Sequence, residues 1–265
     1  MTQNGFRSDE IDTSRPHPAR IYDYLLGGKD NYEVDREAGD QLTAVAPEVR
    51  IGVRANRAFL RRAVEYVVGS GVRQILDIGT GLPTSPNVHE IARDVAPDVR
   101  IAYVDNDPIV NTYAHTFLGG VGDTSVVLAD LRDPRAVLDH PDVRRVIDFD
   151  EPVALLLVAV LHFLTDAERP GEVVATLRDA LPAGSYLVLS HATDDFADRS
   201  EAQAVYRKAT ATLSLRSRAR IERFFDGFDL IEPGVAQVPF WRPDAPLPLR
   251  SEEIGFYGGV ARKGG

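Results

Sequence analysis

The chain has no cysteine among its 265 residues. That excludes disulfides, thiolate metal sites and a cysteine nucleophile. It carries one tryptophan, one methionine and only three lysines, Lys29, Lys208 and Lys263. Basic residues are in deficit: 30 against 40 acidic ones, for a formal charge of -10. Such a balance excludes a broad phosphate-binding face, so no nucleic-acid partner is expected. Arg216, Arg218 and Arg220 form a local basic group that reads as a solvated helix face. The apolar run from Val153 to Leu161 falls far short of the roughly 20 residues that cross a membrane, so no membrane span is read. The N-terminus is polar and lacks an apolar core segment, so a cytoplasmic location is expected.

The remaining composition is that of a globular protein, with 44% hydrophobic residues. Its length suits one large α/β domain with a cap. The most informative stretch is Gln74-Ile-Leu-Asp-Ile-Gly-Thr-Gly-Leu-Pro83. Ile75, Leu76 and Ile78 form a short apolar run bounded by glycine, as a buried parallel strand requires. Gly79 and Gly81 allow backbone angles that a Cβ would block, so the chain turns sharply and can approach a ligand. Ser85 is read as the cap of the next helix, with Pro86 at its first position. A second strand, Ile101 to Val104, leads into Asp105. A third, Ser125 to Ala129, leads into Asp130. In open parallel sheets ligands bind at the carboxyl ends of strands. A carboxylate at Asp105 suits a ribose diol, and Asp130 with Leu131 suits an adenine amino group and ring. Together they describe a pocket for a nucleoside-bearing cofactor. Glu151 to Leu164 reads as the central strand, closing with His162.

The order Asp77-Ile-Gly-Thr-Gly81, Asp105, Asp130 and Val160-Leu-His162 resembles the class I S-adenosylmethionine-dependent methyltransferases. Leu181 to Ser190, Phe224 to Val235 and Phe256 to Arg262 are similar to that fold's later strands. At the N-terminus, His17-Pro-Ala-Arg-Ile-Tyr-Asp-Tyr-Leu-Leu-Gly-Gly-Lys-Asp-Asn-Tyr32 with Asp35-Arg36-Glu37 resembles one bacterial group, the S-adenosyl methyltransferase family, formerly a domain of unknown function. The resemblance implies a Rossmann-like three-layer sandwich with a seven-stranded sheet whose last strand is antiparallel, preceded by an N-terminal helical cap. It implies S-adenosyl-L-methionine as cofactor, held by Asp77, Gly79, Thr80, Gly81, Asp105, Asn106, Asp130, Leu131 and Val160. From the cap, Tyr24 is expected to close over the methionine end of the cofactor. Arg20, or alternatively Asn56 or Arg57, is expected to hold its carboxylate.

The expected organisation is a flexible segment 1–16, a helical cap 17–69 and a cofactor-binding domain 70–265. Helices are read from Pro18 to the Gly27-Gly28 pair, from Asp35 to Ala46 and from Val53 to Val68, placed to fold over the strand ends as a lid. Residues 194–223 read as a long helical insertion forming a second substrate wall, and 239–248 as a proline-rich loop. The expected reaction is O- or N-methylation of an unidentified small molecule. A sulfonium methyl is already activated, so the protein mainly aligns the partners and excludes water. His162 and His191 end the fourth and fifth strands. His162 is a candidate general base, or else packs beneath the cofactor. His191 with Asp194 and Asp195 could form a metal site, but capping of the next helix by Asp194 or Asp198 is preferred, so no metal is expected. Two alternatives remain open: a non-catalytic S-adenosylmethionine-binding sensor or partner protein, and a nicotinamide dehydrogenase. The latter lacks its third glycine, because that position is Thr84.

Overall fold

In a computed structural model, the structure describes residues 13–118, 122–245 and 254–265. The helices are α1 (Pro18–Leu26), α2 (Glu33–Val45), α3 (Val49–Gly69), α4 (Val88–Val95), α5 (Pro108–Leu118), α6 (Pro134–Asp139), α7 (Pro141–Val146), α8 (Pro170–Asp179), α9 (Ser200–Tyr206) and α10 (Arg218–Glu222). The strands are β1 (Gln74–Ile78), β2 (Arg100–Asp105), β3 (Thr124–Leu128), β4 (Ala154–Val158), β5 (Tyr186–Ala192), β6 (Asp229–Leu230), β7 (Ala236–Gln237) and β8 (Phe256–Arg262).

The sheet runs β3-β2-β1-β4-β5-β8-β6, with β7 also paired to β8. The first five strands of this order are mutually parallel, whereas β8 runs antiparallel to β5. Apolar residues fill both faces of β1. Leu76 and Ile78 join one core, with α6, α7 and α8, while Ile75 joins the other, with α3 and α4. This is the three-layer arrangement that a buried parallel sheet demands.

Among the described residues the sheet has eight strands where seven are expected. The sixth strand is split. Asp229 and Leu230 pair with Arg262 and Ala261, and Ala236 and Gln237 pair with Gly258 and Tyr257. Between them the chain turns at Ile231, whose carbonyl accepts from Gly234 N–H at 2.8 Å.

Helices α1, α2 and α3 pack on one another and on α9 through their own cluster, with Ile21, Leu25, Leu42 and Val53 buried. α1 starts at Pro18 and ends at Gly27 (φ 91°), which supplies the left-handed cap. Asp23 organises the following turn. Its carboxylate accepts from Asp30 N–H (3.0 Å) and Asn31 Nδ2 (2.8 Å), and a Cβ on Gly28 would collide with it. The helix after the glycine turn begins at Val88 and not at Pro86, because Glu90 accepts the N–H of Asn87 and sets the start there. The region 194–223 is less helical than expected: α9 and α10 flank irregular chain from 207 to 217. Residues 1–12, within the segment expected to be flexible, and 246–248 of the proline-rich loop lie outside the described residues.

Candidate cofactor and active site

A cavity of about 370 Å³ opens at the carboxyl edge of the sheet. Its floor is built by the ends of β1, β2, β3 and β4. α1 and α3 contribute Tyr22, Asn56 and Arg57, and the chain between α9 and α10 adds Thr210 and Ala211.

The floor begins with the glycine turn. Gly79 (φ 78°) and Gly81 (φ 67°) both have positive φ. A Cβ on Gly79 would lie 2.4 Å from Val160 Cγ2, so Val160 seals the turn from below. A Cβ on Gly81 would meet nothing within 4 Å, so the space beside it is open to a ligand. Gly81 N–H donates to Asp105 Oδ2, and Asp107 N–H donates to Asp105 Oδ1, both at 2.9 Å. Asp105 is thus locked in place, with lone pairs left toward the cavity. Burial raises its pKa to about 6, against the lowering effect of these backbone donors.

Asp77 is the most exceptional group. It is 6% exposed and lines the cavity, and no described residue donates a hydrogen bond to its carboxylate. Burial raises its pKa to about 7; Arg57 opposes this rise and Asp105 adds to it. A buried carboxylate without donors or a contacting cation is costly, and a bound cation would relieve it. On the β4 side, Ala159 holds a positive φ of 56°, rare for a residue with a Cβ. Its N–H donates to both the carbonyl (3.1 Å) and Oγ (3.0 Å) of Ser190.

Most of the expected cofactor residues converge here. Asp77, Gly79, Thr80, Gly81, Asp105, Asn106, Asp130, Leu131, Val160, Arg20 and Asn56 all line the cavity. Several differ from expectation in what they offer. Asp130 accepts from Arg132 N–H (2.8 Å), from its guanidinium (3.0 Å) and from Asn106 Nδ2 (3.1 Å). Arg20 is 1% exposed and lies between Asp35 (3.6 Å) and Asp107 (3.9 Å), which neutralise it. Asn56 Nδ2 spends one of its two N–H donors on the Tyr22 hydroxyl at 3.0 Å. Arg57 also faces the cavity, while one guanidinium nitrogen holds the carbonyls of Thr84 and Pro86.

Two expectations are corrected. Tyr24 is not on the cavity wall. Its ring packs on Gly39 of α2 and beneath Arg50, and its hydroxyl donates to Asp40 at 2.6 Å. The absence of a Cβ at Gly39 is what admits the ring on that side. His162 is not on the wall either. Its Nδ1 accepts the N–H of Ala192 at 3.2 Å, which puts the proton of the neutral ring on Nε2 and leaves no basic lone pair there. Burial holds its pKa well below the usual value. This geometry fits the alternative reading, in which His162 packs beneath the site and hydrogen-bonds locally.

His191 is likewise locked. Burial drives its pKa down to about 3; its Nδ1 pairs with the Ala192 carbonyl, and its Nε2 accepts from Arg216. Arg216, read from the sequence as solvated, is 2% exposed and also ties down the carbonyls of Leu161 and Leu164. Asp195 accepts the first N–H of α10 and Asp198 that of Ser200, so both act at helix starts. Sequence reasoning missed His17, Asp107, Arg132 and Ala159 as cavity residues; none carries a local pattern that separates it from an ordinary turn or cap residue.

This sheet order and crevice define a class I S-adenosylmethionine-dependent methyltransferase. Within that class, the model of the S-adenosyl methyltransferase family matches residues 4–264, and the chain belongs to that family. It is similar to a DUF574-family protein from Streptomyces avermitilis MA-4680, at 46% identity and a TM-score of 0.92 over 96% of this chain and 99% of that one. It is also similar to a protein from Thermobifida fusca YX, at 41% identity and a TM-score of 0.92 over 97% and 98% of the two chains. The N-methyltransferase NodS from Bradyrhizobium japonicum WM9, in complex with S-adenosyl-L-homocysteine, shares the fold alone, at 16% identity and a TM-score of 0.50 over 92% and 98%. No curated protein matches the chain. The dehydrogenase reading is thereby set aside. Among the described residues, no helix is long and apolar enough to cross a membrane.

Proposed function

We propose that the chain transfers a methyl group from S-adenosyl-L-methionine to oxygen or nitrogen of a small molecule held in this cavity. When bound, the cofactor supplies an activated sulfonium methyl. The observation that carries the reading is Asp77, a buried carboxylate with no hydrogen-bond donor among the described residues, beside a glycine turn whose open side faces the same space.

In this reading Asp77 receives the cofactor's ammonium, and Arg57 its carboxylate, in place of the already neutralised Arg20. Asp105 takes the ribose diol. Asn106, Asp130 and Leu131 border the adenine, with the Asp130 carboxylate shared with Arg132. Gly79, Thr80 and Gly81 let the backbone approach, and Val160 fixes their turn. Residues 17–69 act as a lid over the domain that follows, and the chain between α9 and α10 closes the acceptor side through Thr210 and Ala211. The protein's own work is alignment and exclusion of water.

Titration calorimetry with S-adenosyl-L-homocysteine tests the cofactor site. Asp105→Ala should weaken binding by roughly 1.5–3 kcal/mol, the range for hydrogen bonds to a charged group. Unchanged affinity would move the site elsewhere. Transfer of labelled methyl from the cofactor to a panel of amines, phenols and carboxylic acids tests the acceptor class. Labelling of protein or RNA with none of the panel would overturn the small-molecule reading.

A further inference from the structure

His17 reaches the crevice from above. It stands in extended backbone just before α1, and its own N–H donates to Asp35 Oδ1 at 2.9 Å, which fixes its place. Its ring lines the cavity. Nδ1 lies 3.0 Å from Asp107 Oδ2 and 3.3 Å from the N–H of Ala19. One tautomer cannot serve both contacts. The geometry decides the matter: the Ala19 N–H points at Nδ1, whereas Asp107 Oδ2 stands close by without a hydrogen bond to the ring. Nδ1 therefore accepts, and in the neutral ring Nε2 carries the proton. Burial, the largest influence on the ring, lowers its pKa and favours this neutral form.

Asp107 joins this ring to the floor of the site, since its backbone N–H donates to Asp105 Oδ1. Its other carboxylate oxygen accepts from Ile109 N–H at the start of α5. Asp105, Asp107 and His17 therefore stand side by side along one wall from sheet to lid. Beside it, Ala19 of α1 packs against Leu82, Ile109 and Val110.

We infer that Nε2–H of His17 donates a hydrogen bond to a ribose hydroxyl of the cofactor, so that the diol is held by Asp105 below and by the lid above. The backbone N–H of Ala19, which occupies Nδ1, sets the tautomer. The inference rests on the cofactor placement proposed above and adds to it a coupling: seating of α1 completes the ribose contact.

The test is a cycle between protein and ligand. His17→Asn keeps a capping group and a polar atom at the Nδ1 position but deletes Nε2. Dissociation constants are measured by calorimetry for wild type and variant, with S-adenosyl-L-homocysteine and with its 2′,3′-dideoxy analogue. The variant should weaken the natural ligand about tenfold, the size of one hydrogen bond, and leave the dideoxy analogue unchanged. His17→Ser, which also caps a helix and lacks the distal nitrogen, must give the same pattern. Equal weakening of both ligands, or of neither, overturns the ribose contact. Failure of the wild type to bind S-adenosyl-L-homocysteine at all would instead overturn the cofactor placement, a result distinguishable from the first.

Discussion

Replacing Asp77 with Asn should make the ligand-free protein more stable and the site worse. Asp77 is shifted from the ordinary carboxyl value of 3.8 to about 7. The sign follows from proton counting. Between these two values the unfolded chain has lost the proton and the folded chain keeps it, so stability falls as pH rises through this window. The penalty is absent below about pH 4 and complete above about pH 7. Some three pKa units at 1.36 kcal/mol each amount to roughly 4 kcal/mol. Asn is desolvated there much as the protonated acid is, so the two proteins should match near pH 4. Urea melts of the ligand-free proteins should show Asp77→Asn gaining roughly 4 kcal/mol at pH 8 and nothing near pH 4. The same variant should bind S-adenosyl-L-homocysteine roughly ten- to hundredfold more weakly, as loss of one charged partner implies. Wild-type binding at pH 7 should release protons, because a nearby ammonium pulls the carboxyl back toward its ordinary range. Calorimetry in buffers of different ionisation enthalpy reads that release. A stability difference that does not vary with pH, or a variant that binds as tightly as wild type, would refute the reasoning.

Gly79→Ala adds a Cβ 2.4 Å from Val160 Cγ2 at a φ of 78°, so it should cost roughly 2–4 kcal/mol of stability in a denaturant melt and weaken cofactor binding. Arg216→Met leaves the carbonyl of Leu164 without its side-chain donor and that of Leu161 with only the N–H of Leu164; a loss of roughly 2–4 kcal/mol is expected by the same melt. Tyr24→Phe removes only the contact to Asp40 on the outer side of α1. It should leave the affinity for S-adenosyl-L-homocysteine unchanged by calorimetry, and a marked loss would restore Tyr24 to the site.

What could be read from residues alone was whatever is local. Ile75 to Gly81 announces a strand and a turn within seven residues, and both glycines do adopt positive φ. Asp105 and Asp130 each follow an apolar run that fixes the strand end. The side-chain directions were not legible, because partners distant in sequence set them. Gly39 on α2 decides which way Tyr24 turns, and Ala192 on β5 decides which nitrogen of His162 is basic. His17 meets Asp107 only across four helices and two strands of intervening chain. Ala159 gave no signal, since a positive φ is anticipated at glycine and this residue is held there by Ser190. The sixth strand reads as one because the hydrophobic pattern continues through Ile231, although the chain leaves β8 after that residue's bond to Val260.

The crevice can also be located without any comparison, by asking where the chain breaks the rules that govern the rest of it. Among the described aspartates, the three whose carboxyl pKa is raised are Asp23, Asp77 and Asp105, and all three line this cavity. Burial is the leading cause for each. Positive φ at a residue with a Cβ occurs at Ala159, Arg169 and Arg242. Strain alone is therefore not specific: Arg169 stands at the start of α8, away from the cavity. Only beside Ala159 does backbone strain coincide with buried, under-compensated carboxylates. Each feature costs stability, and a chain selected for stability alone would have an apolar residue at 77 and a glycine at 159. Binding of a cationic ligand in this cavity would offset that cost. It follows that S-adenosyl-L-methionine and its thioether product, which both carry the ammonium, should each raise the melting temperature of the wild type more than that of Asp77→Asn at the same free ligand concentration, and equal shifts would refute the assignment.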